Sequence, residues 1–101
     1  SFAPLIITVI ARLTPNHKVP EQEQILSGGA VCFALLQAAQ GLGYGAQWLT
    51  GWAAYDPLIT KKLGVEENEC ILGFIHIGNV DEMAPERVRP KLEDLLSDLH
   101  L

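Results

Sequence analysis

The sequence predicts an α+β fold, an α/β-like sandwich of which only a portion is present. Three observations lead there. The elements read in the order strand, helix, strand, helix, strand, followed by a tail. Two of the strands are almost wholly apolar, the mark of strands covered on both faces. Between them, the 32 residues from Gln24 to Tyr55 contain no Lys, Arg, Asp or Glu. The chain has 101 residues, 49% of them hydrophobic and 19% charged, which is enough for one domain and too little for two. Soluble domains carry about 25% charged residues, so this balance points to a membrane span, a surface covered by a partner, or part of a larger protein.

Leu5 to Ala11 is rich in β-branched residues and reads as a strand buried on both faces, hence central in its sheet. Pro4 stands at its start, where a missing N–H does least harm. Thr14 to Pro20 is a polar loop. Pro20 suits the first turn of the next helix, and Glu21 and Glu23 suit its positive end. That helix is expected to run to about Leu42, with an apolar stripe so wide that it must be covered on most sides. Gly28-Gly29 within it costs about 1 kcal/mol per residue relative to Ala, which implies a close approach by another element. Glycines 41, 43 and 45 end the helix, and Ala46 to Gly51 is a short strand or extended segment. Asp56 caps a second helix that begins with Pro57 and stops at Gly64. Cys70 to Gly78 is the second buried strand, and Lys91 to Leu99 reads as a short amphipathic helix.

Composition excludes several functions. A net charge of −5 offers phosphate backbones nothing to bind, so no nucleic-acid partner is expected. The late acidic residues read as ordinary solvated surface. Cys32 and Cys70, both among apolar neighbours, make no disulfide framework and no metal site, and they fit a reduced, cytoplasmic protein. No signal peptide is visible, and the abrupt opening Ser1-Phe2-Ala3-Pro4 suggests an internal starting point in a longer polypeptide. The best window for a membrane helix, Ala30 to Leu49, holds Gln37, Gln40, Gln47 and three glycines. It makes a poor lipid-facing helix, and no membrane association is expected.

Three motifs could carry chemistry. Gly41-x-Gly43-x-Gly45 follows a helix and precedes a strand, the reverse of a dinucleotide fingerprint. It is either a helix cap and turn or backbone packed close to a ligand. Trp48-Leu49-Thr50-Gly51 offers a hydroxyl and exposed backbone N–H groups to a phosphate or ribityl oxygen, or else a core Trp. Asn16-His17-Lys18 is a loop that could take an anion or stack on a ring, or simply a solvated tip. His76 reads as a core or edge residue. No nucleophile–base pair or paired carboxylates can be argued from spacing, so no catalytic residue is assigned.

Taken in order, Ala3-Pro4-Leu5-Ile6-Ile7-Thr8, Asn16-His17-Lys18-Val19-Pro20, Glu21-Gln22-Glu23, the small-residue helix, Gly41-x-Gly43-x-Gly45-x-x-Trp48-x-Thr50-Gly51 and Gly73-Phe74-x-x-x-Gly78 resemble the nitroreductase family, in its short, minimal branch. The resemblance covers about Ala3 to Asn79; the tail after Val80 departs from it. It implies a nitroreductase-like fold, with a mixed sheet and a long central helix at the interface of a homodimer. It implies FMN as cofactor and NAD(P)H as electron donor. Nitro compounds, quinones or similar small molecules would be reduced in a ping-pong scheme, with the flavin carrying the redox chemistry.

Carried over by position, the resemblance implies that Trp48, Leu49, Thr50 and Gly51 belong to the flavin-binding segment. It places Ala38, Ala39, Gln40, Gly41, Leu42 and Gly43 in a stretch assigned to nicotinamide nucleotide binding. Asn16, His17 and Lys18 match the loop at the active-site mouth. Leu49 departs from the branch, where a basic residue can occur, so a side-chain phosphate contact is lost there. Residues 1–101 correspond to the C-terminal portion of a single domain whose N-terminal part lies outside them. That part brings an Arg/Ser-rich segment to the phosphate; Arg12, Arg87 and Arg89 are in the wrong places for it. The alternative is a non-catalytic ligand-binding or dimerisation domain that keeps the fold without flavin turnover.

Overall fold

The computed structural model describes residues 4–80 and 87–99. Strand β1 spans Leu5–Arg12, helix α1 Glu21–Gly41, strand β2 Gly45–Leu49, helix α2 Pro57–Lys62, strand β3 Glu69–Gly78 and helix α3 Leu92–Leu95. The described strands form one antiparallel sheet in the order β1-β3-β2. The expected central place of the first strand is therefore corrected. β3 is central and β1 lies at an edge among the described strands. A mixed sheet was expected too, but no parallel pair occurs among these strands. The α1 crossover sets β1 and β2 parallel to one another on opposite sides of β3, so the two never touch.

The register sorts the two faces. Ile7, Ile75 and Trp48 stand in one cross-strand row, and Leu5, Ile77 and Ala46 in the next. These rows face α1, which packs on all three strands. Ile75 is fully buried there, a burial that stabilises by about 1.5–3 kcal/mol. Ile6, His76 and Gln47, then Thr8, Phe74 and Leu49, form the rows of the opposite face.

A bulge marks the middle of β3. Val9 pairs with Gly73 and Ile10 with Ile71, which leaves Leu72 unpaired. The Leu72 side chain lies against the Cα of Gly28 on α1, where a Cβ would clash with it. The close approach implied by the helical glycines is thus made by β3.

Both longer helices end in the same device. Tyr44 N–H bonds to the Ala39 carbonyl and Gly43 N–H to the Gln40 carbonyl, each at 3.0 Å, with Gly43 at φ +89. Val65 and Gly64 repeat the pattern on Thr60 and Lys61, with Gly64 at φ +76. This is the Schellman arrangement, in which the left-handed residue is normally glycine. Asp56 caps α2 as expected, its carboxylate accepting from the Leu58 N–H at 2.9 Å and the Ile59 N–H at 3.3 Å. Helix α1 begins one residue later than expected, with Pro20 as its flanking residue.

Two elements come out shorter. The second strand ends at Leu49 because Gly51, at φ +66, turns the chain into a single 3-10 turn at Trp52–Ala54. The tail helix keeps only Leu92–Leu95 of the expected Lys91–Leu99. Its leucines are all exposed, and a short helix without tertiary packing is not stable in water. No helix among the described residues is long and apolar enough to cross a membrane.

Gly43→Ala is expected to destabilise the fold by about 1 kcal/mol, since the left-handed backbone penalises a Cβ. Gly41→Ala, with open space around its Cα, should instead be neutral or stabilising by a few tenths of a kcal/mol. Thermal melts followed by circular dichroism check the opposite signs.

Candidate functional site

The sheet face away from α1 is floored by Ile6, Thr8, Leu49, Phe74 and His76. The 3-10 turn and α2 rise beside it, with Trp52, Ala53, Ile59 and Leu63 as a wall and Thr50-Gly51 at the corner. Together they enclose an open cleft of about 690 Å³. Its polar side chains are Thr8, Thr50 and His76, and none of the described residues lining it is a Lys, Arg, Asp or Glu. Gly51 leaves open space where a Cβ would stand, so a ligand can reach the backbone at that corner.

The candidate residues divide among three places. Leu49, Thr50 and Gly51 meet at the cleft. Trp48 does not line it, because strand alternation turns its side chain to the α1 face. Its indole N–H donates to the Leu72 carbonyl at 3.0 Å and lies over Gly73, where a Cβ would overlap the ring. Its six-membered ring reaches Gly29 of α1. Trp48 therefore ties the end of β2 to the bulge of β3, one residue before the cleft begins.

Ala38, Ala39, Gln40, Gly41, Leu42 and Gly43 sit at the far end of β2, roughly 16 Å from Thr50 by strand rise. Ala39 is buried, and Gly41, Leu42 and Gly43 form the helix cap. The structure does not bring this group to the cleft.

Asn16, His17 and Lys18 form the loop after β1. Asn16 is left-handed at φ 55, and His17 Nδ1 accepts from the Val19 N–H at 3.1 Å. His17 lines a second, smaller depression of about 320 Å³ with Arg12, Thr14, Val19, Glu23, Gln24 and Ser27. Gln24 organises this loop. Its side chain accepts from the Thr14 N–H at 2.9 Å and donates to the Thr14 and Val19 carbonyls at 3.2 and 2.8 Å. Nothing in the sequence marks Gln24 apart from its neighbours Gln22 and Glu23. Trp52, on the cleft wall, was hidden in the same way, since the 3-10 turn that presents it has no local signature.

At the base of the loop, the Arg12 guanidinium pairs with the Glu69 carboxylate at 3.1 Å, while its other oxygen accepts from the Glu66 N–H at 2.9 Å. The Glu66 amide first and Arg12 second hold the Glu69 carboxyl below the usual carboxylate range. Burial pushes the Cys32 thiol up, which leaves it a small apolar core group rather than a nucleophile. Among the described residues, no group of three His, Cys, Asp or Glu could hold a metal ion.

The fold and the order of these segments define a class. The chain superposes on the crystal structure of a nitroreductase-like family protein from Bacillus cereus with a TM-score of 0.85 and 23% identity, over 96% of this chain and 51% of that one. A nitroreductase family protein from Streptococcus pneumoniae TIGR4 matches with a TM-score of 0.64 and 20% identity, over 80% of this chain and 42% of that one. The nitroreductase family profile matches residues 3–79, and the chain belongs to that family. It is 41% identical over 76 residues to "Putative NAD(P)H nitroreductase YdjA" of Escherichia coli K12, covering 75% of this chain and 42% of the relative. It is 32% identical over 88 residues to "Putative NAD(P)H nitroreductase" of Haemophilus influenzae, covering 86% of this chain and 48% of the relative. The chain thus spans about half the length of the curated relatives it matches.

The residues present fit a flavin in part. Apolar walls with a Trp at the rim suit a planar ring, and the Thr hydroxyls and the open Gly51 backbone suit a polar chain. The phosphate finds no cation among the described residues of the cleft, and Leu49, where the branch can carry a basic residue, lies on the apolar floor. These residues therefore do not amount to a whole FMN site.

Two consequences can be measured. Gly73→Ala must displace the Trp48 indole and its hydrogen bond. It should destabilise by about 1–3 kcal/mol in urea titrations, with a red-shifted Trp emission. Glu69, with its lowered carboxyl, contributes stability that is present above the ordinary carboxylate pKa and lost as pH falls through its own. Denaturant midpoints of the wild type and Glu69→Gln should differ most at neutral pH and converge in acid.

Proposed function

We propose that this chain is the C-terminal half of an NAD(P)H-dependent flavin oxidoreductase of nitroreductase type, and that the Thr50-Gly51 corner is its contribution to the flavin site. The observation that carries this reading is the family match across residues 3–79, which takes in a corner with an exposed hydroxyl and open backbone. Bound FMN supplies the two-electron chemistry: NAD(P)H is oxidised in one half-reaction, and a nitro compound, quinone or similar acceptor is reduced in the other. The chain's own part is to wall the ring and exclude water from it. The counter-charge for the phosphate comes from residues other than those lining the cleft.

The same reading makes the protein a homodimer joined through the outer face of α1. Leu26 and Phe33 are 63% and 57% exposed there, in a stripe with Ala30 and Gln37 at helical spacing. An exposed apolar stripe of that kind marks an association surface. The free thiols Cys32 and Cys70 support a reducing, cytoplasmic setting. A second reading, a fold kept without flavin turnover, is favoured by a cleft with no Lys, Arg, Asp or Glu among its described lining residues.

The natural full-length polypeptide should purify yellow. In it, Thr50→Glu should weaken FMN binding about tenfold, roughly 1.4 kcal/mol, in titrations that follow flavin fluorescence. A full-length protein with native circular dichroism that is colourless and takes up no added FMN overturns the proposal.

A further inference from the structure

Strand β2 stops pairing at Leu49, opposite Phe74. Continued, the same register would run Thr50 beside Gly73 and Gly51 beside Leu72. Those are the two residues of β3 that the Trp48 side chain covers. Its indole N–H donates to the Leu72 carbonyl at 3.0 Å, and its ring lies over Gly73 and reaches Gly29 of α1. All of these contacts are on the α1 face. Leu49, Thr50 and Gly51 line the cleft on the other face.

The corner itself has little to hold it. Thr50 and Gly51 are both exposed, and nothing stands near Gly51 where a Cβ would be. Gly51 is at φ +66, in a residue type free to adopt many other backbone angles. The chain is fixed instead on either side. After the corner, the Trp52 carbonyl accepts from the Tyr55 and Asp56 N–H groups at 3.0 Å, and Ala54 is buried. Before it, the anchor is Trp48, about 7 Å from Gly51's neighbour Thr50 by strand rise.

We propose that Trp48 is a positioning residue for the Thr50-Gly51 corner. It touches nothing in the cleft. By covering Leu72 and Gly73 it fixes the point at which the chain leaves the sheet, and so keeps the corner's backbone in one conformation that a ligand can reach. A Phe at this position retains a ring but loses the donor, so the Leu72 carbonyl loses its indole partner and the end of β2 loses its tie. The corner then samples several conformations. A ligand that binds one of them binds more weakly in proportion to the fraction lost. The placement of the corner follows from the contacts of Trp48; its effect on a flavin rests on the function proposed above.

The test uses the natural full-length polypeptide and three variants, each checked for folding by circular dichroism. Trp48→Phe removes the donor, and Gly73→Ala displaces the ring from the other side. Glu69→Gln weakens the fold at the far end of β3, about 13 Å from Gly73. The first measurement is the NMR order parameter of the Thr50 and Gly51 amides, without flavin. It should lie near the rigid value of about 0.85 in the unaltered protein and in Glu69→Gln. In Trp48→Phe and Gly73→Ala it should fall toward about 0.6. The second is FMN titration. Trp48→Phe and Gly73→Ala should bind about tenfold more weakly, and the visible circular dichroism of the flavin at saturation should change. A purely structural weakening would lower the folded fraction and leave the saturated spectrum as it was.

Three results overturn the proposal. The order parameters stay rigid in both Trp48→Phe and Gly73→Ala; Glu69→Gln mobilises the corner as much as they do; or the corner is mobilised while FMN affinity and spectrum are unchanged. If the unaltered protein takes up no FMN, the flavin reading fails, and the order parameters alone decide the role of Trp48.

Discussion

Strand β3 has to be covered on both faces, and the rest of the structure is arranged around that need. Its run from Cys70 to Gly78 contains His76 as the one strongly polar side chain. Helix α1 answers for one face, where Ile75 is buried. The opposite face is left to the 3-10 turn and α2, which wall it without roofing it. The cleft is the part of the second face that this half of the fold leaves open.

Packing on the covered side is made possible by missing side chains. The bulge at Leu72 turns an extra side chain and a free carbonyl out of the ladder. Gly28 receives the side chain, and the Trp48 indole takes the carbonyl. Gly73 lets the indole lie flat on the strand. These contacts join α1, β2 and β3 through one residue of β3, and they aim the chain after Trp48 toward Thr50-Gly51. The corner where a ligand can reach backbone is thus positioned by packing on the far side of the sheet.

The order of strands and helices was legible because each carried a strong local signal: β-branched runs for β1 and β3, glycines at the helix ends, Asp56-Pro57 before α2. What escaped were features that depend on partners distant in the chain. An apolar run such as Leu5–Ala11 looks the same in an edge strand awaiting cover as in a central one, so the place of β1 could not be read. The leucines of the tail suggested a helix to Leu99, but helical spacing forms a helix only against a surface. The candidate site divided for a related reason. Trp48 and Leu49 are adjacent in sequence, and the pleat sends them to opposite faces.

By itself the sequence determined the element types, the two glycine-terminated helices, the Asp56 cap and the segments that mark the family, because all of these rest on backbone preference and short-range spacing. Tertiary structure alone decided that β3 is central, that Trp48 is a tie between strands rather than a cleft residue, that Gln24 holds the loop of His17, and that Ala38–Gly43 stands away from Thr50. Each of these depends on which residues meet across the sheet. Strand register makes that choice, and the register is selected by burial of the β3 faces rather than by any local run of residues.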